Sequence, residues 1–338
     1  MIFLARFGIA VSAVQEGVWR CGIPFGWPQY GPALGMASIG GGPPGTGKMP
    51  QAIGDRMPAA WMAMEWERTM RKTQDAVAAI DNWLAWRQAR HAELDGADSW
   101  LGLAGLFWLE PGLNSVGSAE GSVVLLPDGP AYLGALSWQG GPVTWQPAAG
   151  EARELQTDIA GQPSIVDFEN WSFFLVDREN RVAARLRDRD WAAHQPFVGL
   201  DYFDFDPAWQ IEAEWQPLSP PIRMEVPNVS GDLKVVEVSH QAVFEVAGQK
   251  VMLLPMSVTD KEVFFVFRDR TSGKESYGAG RFLKAAPAVD GKIRLDFNRA
   301  YNPPCAFTPF ATCPLPPPEN WLPFAVVAGE KTYRSGHD

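Results

Sequence analysis

The rhythm of apolar and polar positions changes three times along this chain. Up to about residue 60 no period of 2 or 3.6 persists, and glycine and proline interrupt every run. Residues 1–60 therefore read as a disordered extension, or as translated upstream sequence ahead of a later start at Met57, Met62, Met64 or Met70. Over 65–95 a helical period takes over. Val77, Ile80, Leu84 and His91 fall on one face with Trp83 beside them, charged residues take the other side, and Gly96 supplies the stop.

From Trp100 to about residue 190, short apolar runs (LGLAGLFWL, SVVLLP, AYLGALSW, PVTWQP) alternate with turn residues. SIVDFENWSFFLVDREN and RVAARLRD then predict a hairpin turning near Glu179 and Asn180. A linker-like RDRDWAAHQPFVGL leads into a second β-rich block over 197–333. There, VFEVAGQKVMLL predicts a hairpin around Gly248. EVFFVF is almost continuously apolar, which predicts a central strand buried on both faces. No βαβ rhythm and no internal repeat are present. The expected fold is mainly β: an N-terminal helix, an antiparallel β-sandwich-like subdomain over 100–190 and a β-barrel-like C-terminal unit.

Bulk properties narrow the function classes. A length of 338 residues fits about two domains. The formal net charge of −10, with no basic run to offset it, disfavours nucleic acid as a partner. No stretch reaches the roughly 18 apolar residues of a membrane span, and Arg6 breaks the apolar start, which argues against a secretory signal. A cytoplasmic location follows as the expectation. Of three cysteines, Cys305 and Cys313 are near neighbours, and no second pair completes a zinc pattern. Two reduced buried thiols, a local disulfide and a reactive thiol all remain open.

Several familiar patterns fail on their chemistry. GPPGTGK at 42–48 looks like a phosphate-binding loop, but Met49 and Pro50 follow the lysine where Ser or Thr and a helix are needed. Residues 105–141 faintly resemble forkhead-associated β-sandwich modules. Ser118 stands after Gly117 where those carry arginine, so the resemblance implies no reading of phosphothreonine. No G-x-S-x-G elbow accompanies His91, His194, His240 or His337. His194 is the best placed of them for chemistry, His91 suits a packing role on the helix, and His240 reads as a turn residue. Asp204 and Asp206 in DYFDFDP alternate as strand neighbours do, although a solvated edge before Pro207 is the plainer reading.

The strongest functional signal is residues 294–323, RLDFNRAYNPPCAFTPFATCPLPPPENWLP, with eight of the chain's 29 prolines and two of its cysteines. Proline fixes φ and removes a donor, so this is an irregular path held by polar side chains. Together with GLDYFDFD, TSGKESYGAGRFL and the continuation to AVVAGEK, it resembles the domain of unknown function 1684 family over roughly 100–331, most specifically over 264–331. The resemblance implies that the C-terminal β block is the common unit, and it implies no reaction.

The residues themselves support two accounts. In the structural one, Arg281 pairs with a carboxylate such as Asp296, and asparagines tie down the proline-rich path. In the functional one, Arg281, Tyr277, Asp296, Asn298, Tyr301, Cys305 and Glu319 line one pocket, with Asn320 at its edge. An arginine fork with aromatic walls suits a small anion or carboxylate. The first expectation is therefore a small-molecule-binding protein, with no cofactor implied. Two rivals accompany it: an enzyme with Cys305 as nucleophile or Asp296 and Glu319 as acid–base groups, and a scaffold docking a partner through an exposed 314–318 proline run.

Overall fold

The computed structural model describes residues 59–335 apart from 230 and 232. The N-terminal extension, the 42–48 loop, Cys21 and His337 lie outside the described residues. The chain opens with helix α1 (Ala59–Leu94). Its docked face carries Trp83, Arg90 and Leu94, while Val77, Ile80 and Leu84 are exposed. The predicted apolar face is thus turned away from the body of the protein. Hydrophobic spacing located the helix, but Arg90 on the docked face disguised which side is buried.

The N-terminal β half is a sandwich. One sheet, ordered β3-β2-β4-β5-β6, contains β2 (Gly112–Gly117), β3 (Val124–Leu125), β4 (Gly134–Trp138), β5 (Val143–Pro147) and β6 (Arg153–Leu155). The other, ordered β1-β9-β8-β7, contains β1 (Leu103–Trp108), β7 (Ile165–Phe168), β8 (Trp171–Arg178) and β9 (Arg181–Asp188). Val116, Leu136 and Trp145 from the first sheet meet Phe173, Leu175 and Leu186 from the second in one apolar core. Glu179 and Asn180 both adopt positive φ, 52° and 64°, and close the β8–β9 hairpin where the sequence places it. A four-residue helix α2 (Trp191–His194) begins the linker.

The C-terminal half is built on two long strands, β10 (Gln210–Pro227) and β11 (Leu233–Val246), in a sheet ordered β12-β11-β10-β16 with β12 (Gln249–Leu253) and β16 (Lys292–Asp296). A register shift between Pro217 and Ile222 divides the β10–β11 ribbon. A second sheet holds β13 (Ser257–Val258), β14 (Val263–Phe267) and β15 (Arg281–Ala285), with β14 in the middle. Alternation splits β14 between two cores. Val263, Phe265 and Phe267 join Phe244, Leu295 and Phe297, while Val266 and Phe264 join Val226, Met256, Phe282 and Cys313. That two-sided burial explains its unbroken apolar sequence. His240 sits within β11, its ring stacked on Trp215 at 5.3 Å, and is not a turn residue.

The protein is therefore mainly β, with one long N-terminal helix among the described residues. No helix of these residues is long and apolar enough to cross a membrane.

Candidate functional site

The charged and polar groups of the C-terminal half are mostly used to hold its irregular segments. Arg281 opens β15 and is 0% exposed. Its guanidinium bonds Asp269 Oδ2 at 2.9 Å, the Val326 carbonyl at 2.8 Å and the carbonyls of Ala328 and Glu330; only Nε lacks a partner. The acid is Asp269 and not Asp296. Asp269 Oδ1 in turn accepts from Thr271 N, Thr271 Oγ1 and Val326 N. Burial lowers the pKa of Arg281, against the pull of the Asp269 carboxylate. Gly280 makes the approach possible. Its φ is +99°, and a Cβ there would lie 2.5 Å from the Phe267 carbonyl oxygen.

The other predicted residues occupy separate places. Asp296 accepts from Gln210 Nε2 at 2.8 Å and caps the short turn at Asn298. Asn298 is buried and holds both the amide and the carbonyl of Asp206. Asn320 is also buried. It accepts from Leu254 N and donates to the carbonyls of Leu254 and Val266, each at 2.8 Å, so it replaces a missing stretch of strand. Glu319 is exposed on the neighbouring turn. Asp206 caps the turn beginning at Pro207, and Asp204 is exposed.

Tyr277 and Cys305 do meet: the phenol donates to the Cys305 carbonyl at 2.8 Å. Tyr301 and Cys305 pack against the same apolar cluster. The structure thus joins Tyr277, Tyr301 and Cys305, and it places Arg281, Asp296, Asn298, Asn320 and Glu319 elsewhere. The proline run is a wall. Pro316 and Pro317 are buried, Leu315 N bonds the Pro227 carbonyl at 2.8 Å, and Trp321 Nε1 bonds that of Pro316.

This wall borders a cleft of about 500 Å³ where the two β halves face each other. Val226, Val236, Met256, Phe264 and Pro314 give it an apolar lining. Its rim carries Asp177, Arg178, Glu179, Lys234 and Thr312. Arg178 is paired with Asp158 at 2.6 Å and donates through Nε to Thr312 Oγ1 at 3.0 Å.

Behind Thr312 stands Arg185, on the face of β9 opposite the sandwich core and only 2% exposed. Its hydrogen bond among the described residues is a long one, 3.4 Å to the same Thr312 hydroxyl, and its Nε has no partner there. No carboxylate among the described residues comes within ion-pair distance of it. Trp100 and Phe174 rings lie 5.7 and 5.9 Å from its Cζ. Burial, with Arg178 adding to it, pulls its pKa down to about 10, so it stays cationic at neutral pH. Sequence reading missed Arg178, Arg185 and Thr312. Arg181, Arg185 and Arg187 alternate along β9 as on a solvated strand face, and nothing local announces that another half of the protein covers them.

A family model described as protein of unknown function (DUF1684) matches residues 195–331. A solution NMR structure of an uncharacterised protein from Haloarcula marismortui is 34% identical, covers 43% of this chain and 88% of that chain, and has a TM-score of 0.34. The chain belongs to the DUF1684 family. A comparison with curated proteins found no match. The DUF1684 match is narrower than the 100–331 span of the sequence resemblance: it takes in β10–β16 and the proline-rich wall, and it excludes the N-terminal sandwich. Thr312, Pro314 and the two thiols are thus DUF1684 positions, whereas Arg178 and Arg185 are contributed by the preceding half.

Proposed function

We propose that the protein binds a small amphipathic carboxylate in the cleft between its two β halves. The observation that carries this reading is Arg185, a buried guanidinium with no acid of its own, reached through the hydroxyl of a cleft residue. A buried cation without a counter-charge is costly, and a bound anion removes that cost. A ligand carboxylate at Thr312 would stand between Arg178 and Arg185. The apolar body would then lie along Val226, Val236, Met256 and Phe264. The size suits such a ligand, since small-molecule sites are typically clefts of about 300–1,000 Å³. Asp177 and Glu179 at the rim oppose anions and Lys234 offsets one of them, so recognition concentrates at the Thr312 end.

This reading keeps the small-anion expectation and moves it away from Arg281, whose guanidinium is already committed. The rivals have less support. The 314–318 run is partly buried and bonded at its backbone, which leaves little for a docking partner. Asp296 is engaged with Gln210 and Asn298, and Glu319 is exposed on a different turn. A cytoplasmic setting suits the two free thiols.

Calorimetric titration with octanoate tests the proposal. Saturable binding is expected, weakened roughly tenfold or more in Arg185→Leu, because a charge-assisted hydrogen bond is lost. Far-ultraviolet circular dichroism checks that the variant is folded. Absence of saturable binding, or equal affinity in a folded Arg185→Leu protein, would sink it.

A further inference from the structure

Cys305 and Cys313 form a closer pair than their separation in sequence requires. The Cys305 N–H donates to Cys313 Sγ at 3.2 Å, which brings the Cys313 sulfur against Cys305. Their exposures differ: Cys305 is half-buried and Cys313 is only 4% exposed. The Tyr277 phenol, donating to the Cys305 carbonyl at 2.8 Å, lies beside Cys305 as well. The neighbouring Cys313 side chain, with help from Tyr277 and against the effect of burial, holds the Cys305 thiol below its ordinary pKa. The same contact, followed by burial, pushes Cys313 up. Arg185 is the cation that acts on Cys313 from the other half. A structural thiol in an apolar core has none of this asymmetry. Here one sulfur is reachable and favours the thiolate, and the other is sheltered and keeps its proton beside it.

We propose that Cys305 and Cys313 are a peroxide-oxidised dithiol, in which Cys305 attacks and Cys313 resolves. The Cys305 thiolate attacks one oxygen of hydrogen peroxide. A sulfur–oxygen bond forms, the oxygen–oxygen bond breaks, and hydroxide leaves, giving a sulfenic acid at Cys305. Cys313 sulfur then attacks the Cys305 sulfur, and the sulfenic oxygen departs as hydroxide. The Cys313 proton, and the proton Cys305 released on ionising, convert the two hydroxides to water. Both sulfurs are oxidised to one disulfide, and the peroxide is reduced to two waters. The disulfide closes the loop that carries Thr308 and Thr312, whose backbone is also tied to the body by the bond from Val229 N to the Cys313 carbonyl at 3.0 Å. The inference stands whether or not the cleft holds a ligand.

The test uses the full chain with Cys21→Ser, so that only this pair can react. The folded protein is treated with hydrogen peroxide, quenched, unfolded in iodoacetamide and weighed intact. The expected product is monomeric, carries no alkyl group, has lost about 2 Da and returns to two alkylatable thiols with dithiothreitol. Cys313→Ser in the same background is expected to accumulate a sulfenic acid that dimedone traps at Cys305. Two alkylated thiols after peroxide, or a disulfide only between molecules, would overturn the proposal. So would dimedone capture at Cys313 in place of Cys305 in the Cys21→Ser protein. The first arm alters neither thiol of the pair, so poor folding of a variant cannot rescue the idea.

Discussion

The protein buries two arginines that are alike in kind and opposite in circumstance. Arg281 lies inside the C-terminal half with Asp269 and three carbonyls around it. Arg185 lies between the halves with a long contact to one hydroxyl and two aromatic rings. Burial is complete or nearly so at both, which makes burial a poor guide to role. Partner count is the better one. A guanidinium whose donors are consumed by its own chain is a strut, and one left without an acid is a place where something else can bind.

The contrast is broken most forcefully at Asp269. Asp269→Ala leaves Arg281 charged, interior and without its acid, and it also frees the Thr271 and Val326 amides. Urea unfolding is expected to show a loss of about 3–5 kcal/mol, the usual cost of stranding one member of a buried pair. A loss below about 1 kcal/mol would mean that the carbonyls alone satisfy Arg281. Arg185→Met should go the other way. Removing an interior cation that has no acid is expected to leave stability unchanged or raise it by about 1 kcal/mol, in the same unfolding experiment. A large destabilisation would make Arg185 a strut like Arg281 and remove the basis for a ligand.

The smallest effect concerns the thiols beside Arg185. The Cys305 pKa is depressed, so its thiolate fraction rises at lower pH than that of a free cysteine. The iodoacetamide rate of the Cys21→Ser protein should therefore reach half its plateau below the ordinary thiol value. Cys313→Ser replaces the neighbouring thiol, and that midpoint is expected to move. A midpoint at or above the ordinary value would show that burial outweighs the two neighbours.

How much of this was visible in the sequence depends on the range of each interaction. The β8–β9 and β11–β12 turns were legible because they are local: Glu179–Asn180 and Ala247–Gly248 carry the positive φ that two-residue hairpins need. EVFFVF announced its own two-sided burial. The proline-rich path was correctly seen as a segment held by polar groups, and Asn298 and Asn320 do that work. Which acid meets Arg281 was not legible, because Asp269 and Asp296 are equally plausible in one dimension. The docked side of α1 was misread for a related reason. Arg90 looks like a solvent residue until Glu330, Glu93 and the Asn302 carbonyl are brought to it. The cleft was invisible, since one side of it comes from the end of β8 and the turn after it, and the other from β10, β11, β14 and the Thr312–Pro314 stretch, far along the chain.

The tie between Arg90 and Glu330 has a consequence for how the chain is made. It joins residues 240 positions apart at 3.0 Å, and Trp83 Nε1 reaches the Asn298 carbonyl across 215. A ribosome adding about 5–20 residues per second needs roughly 10–50 s between delivering the helix and delivering its acid. Through that interval α1 has finished emerging without these two anchors, while the sandwich, whose contacts are closer in sequence, can already close. The segment around Glu330, delivered long after the helix, is therefore one that fastens the first described element to the body of the protein.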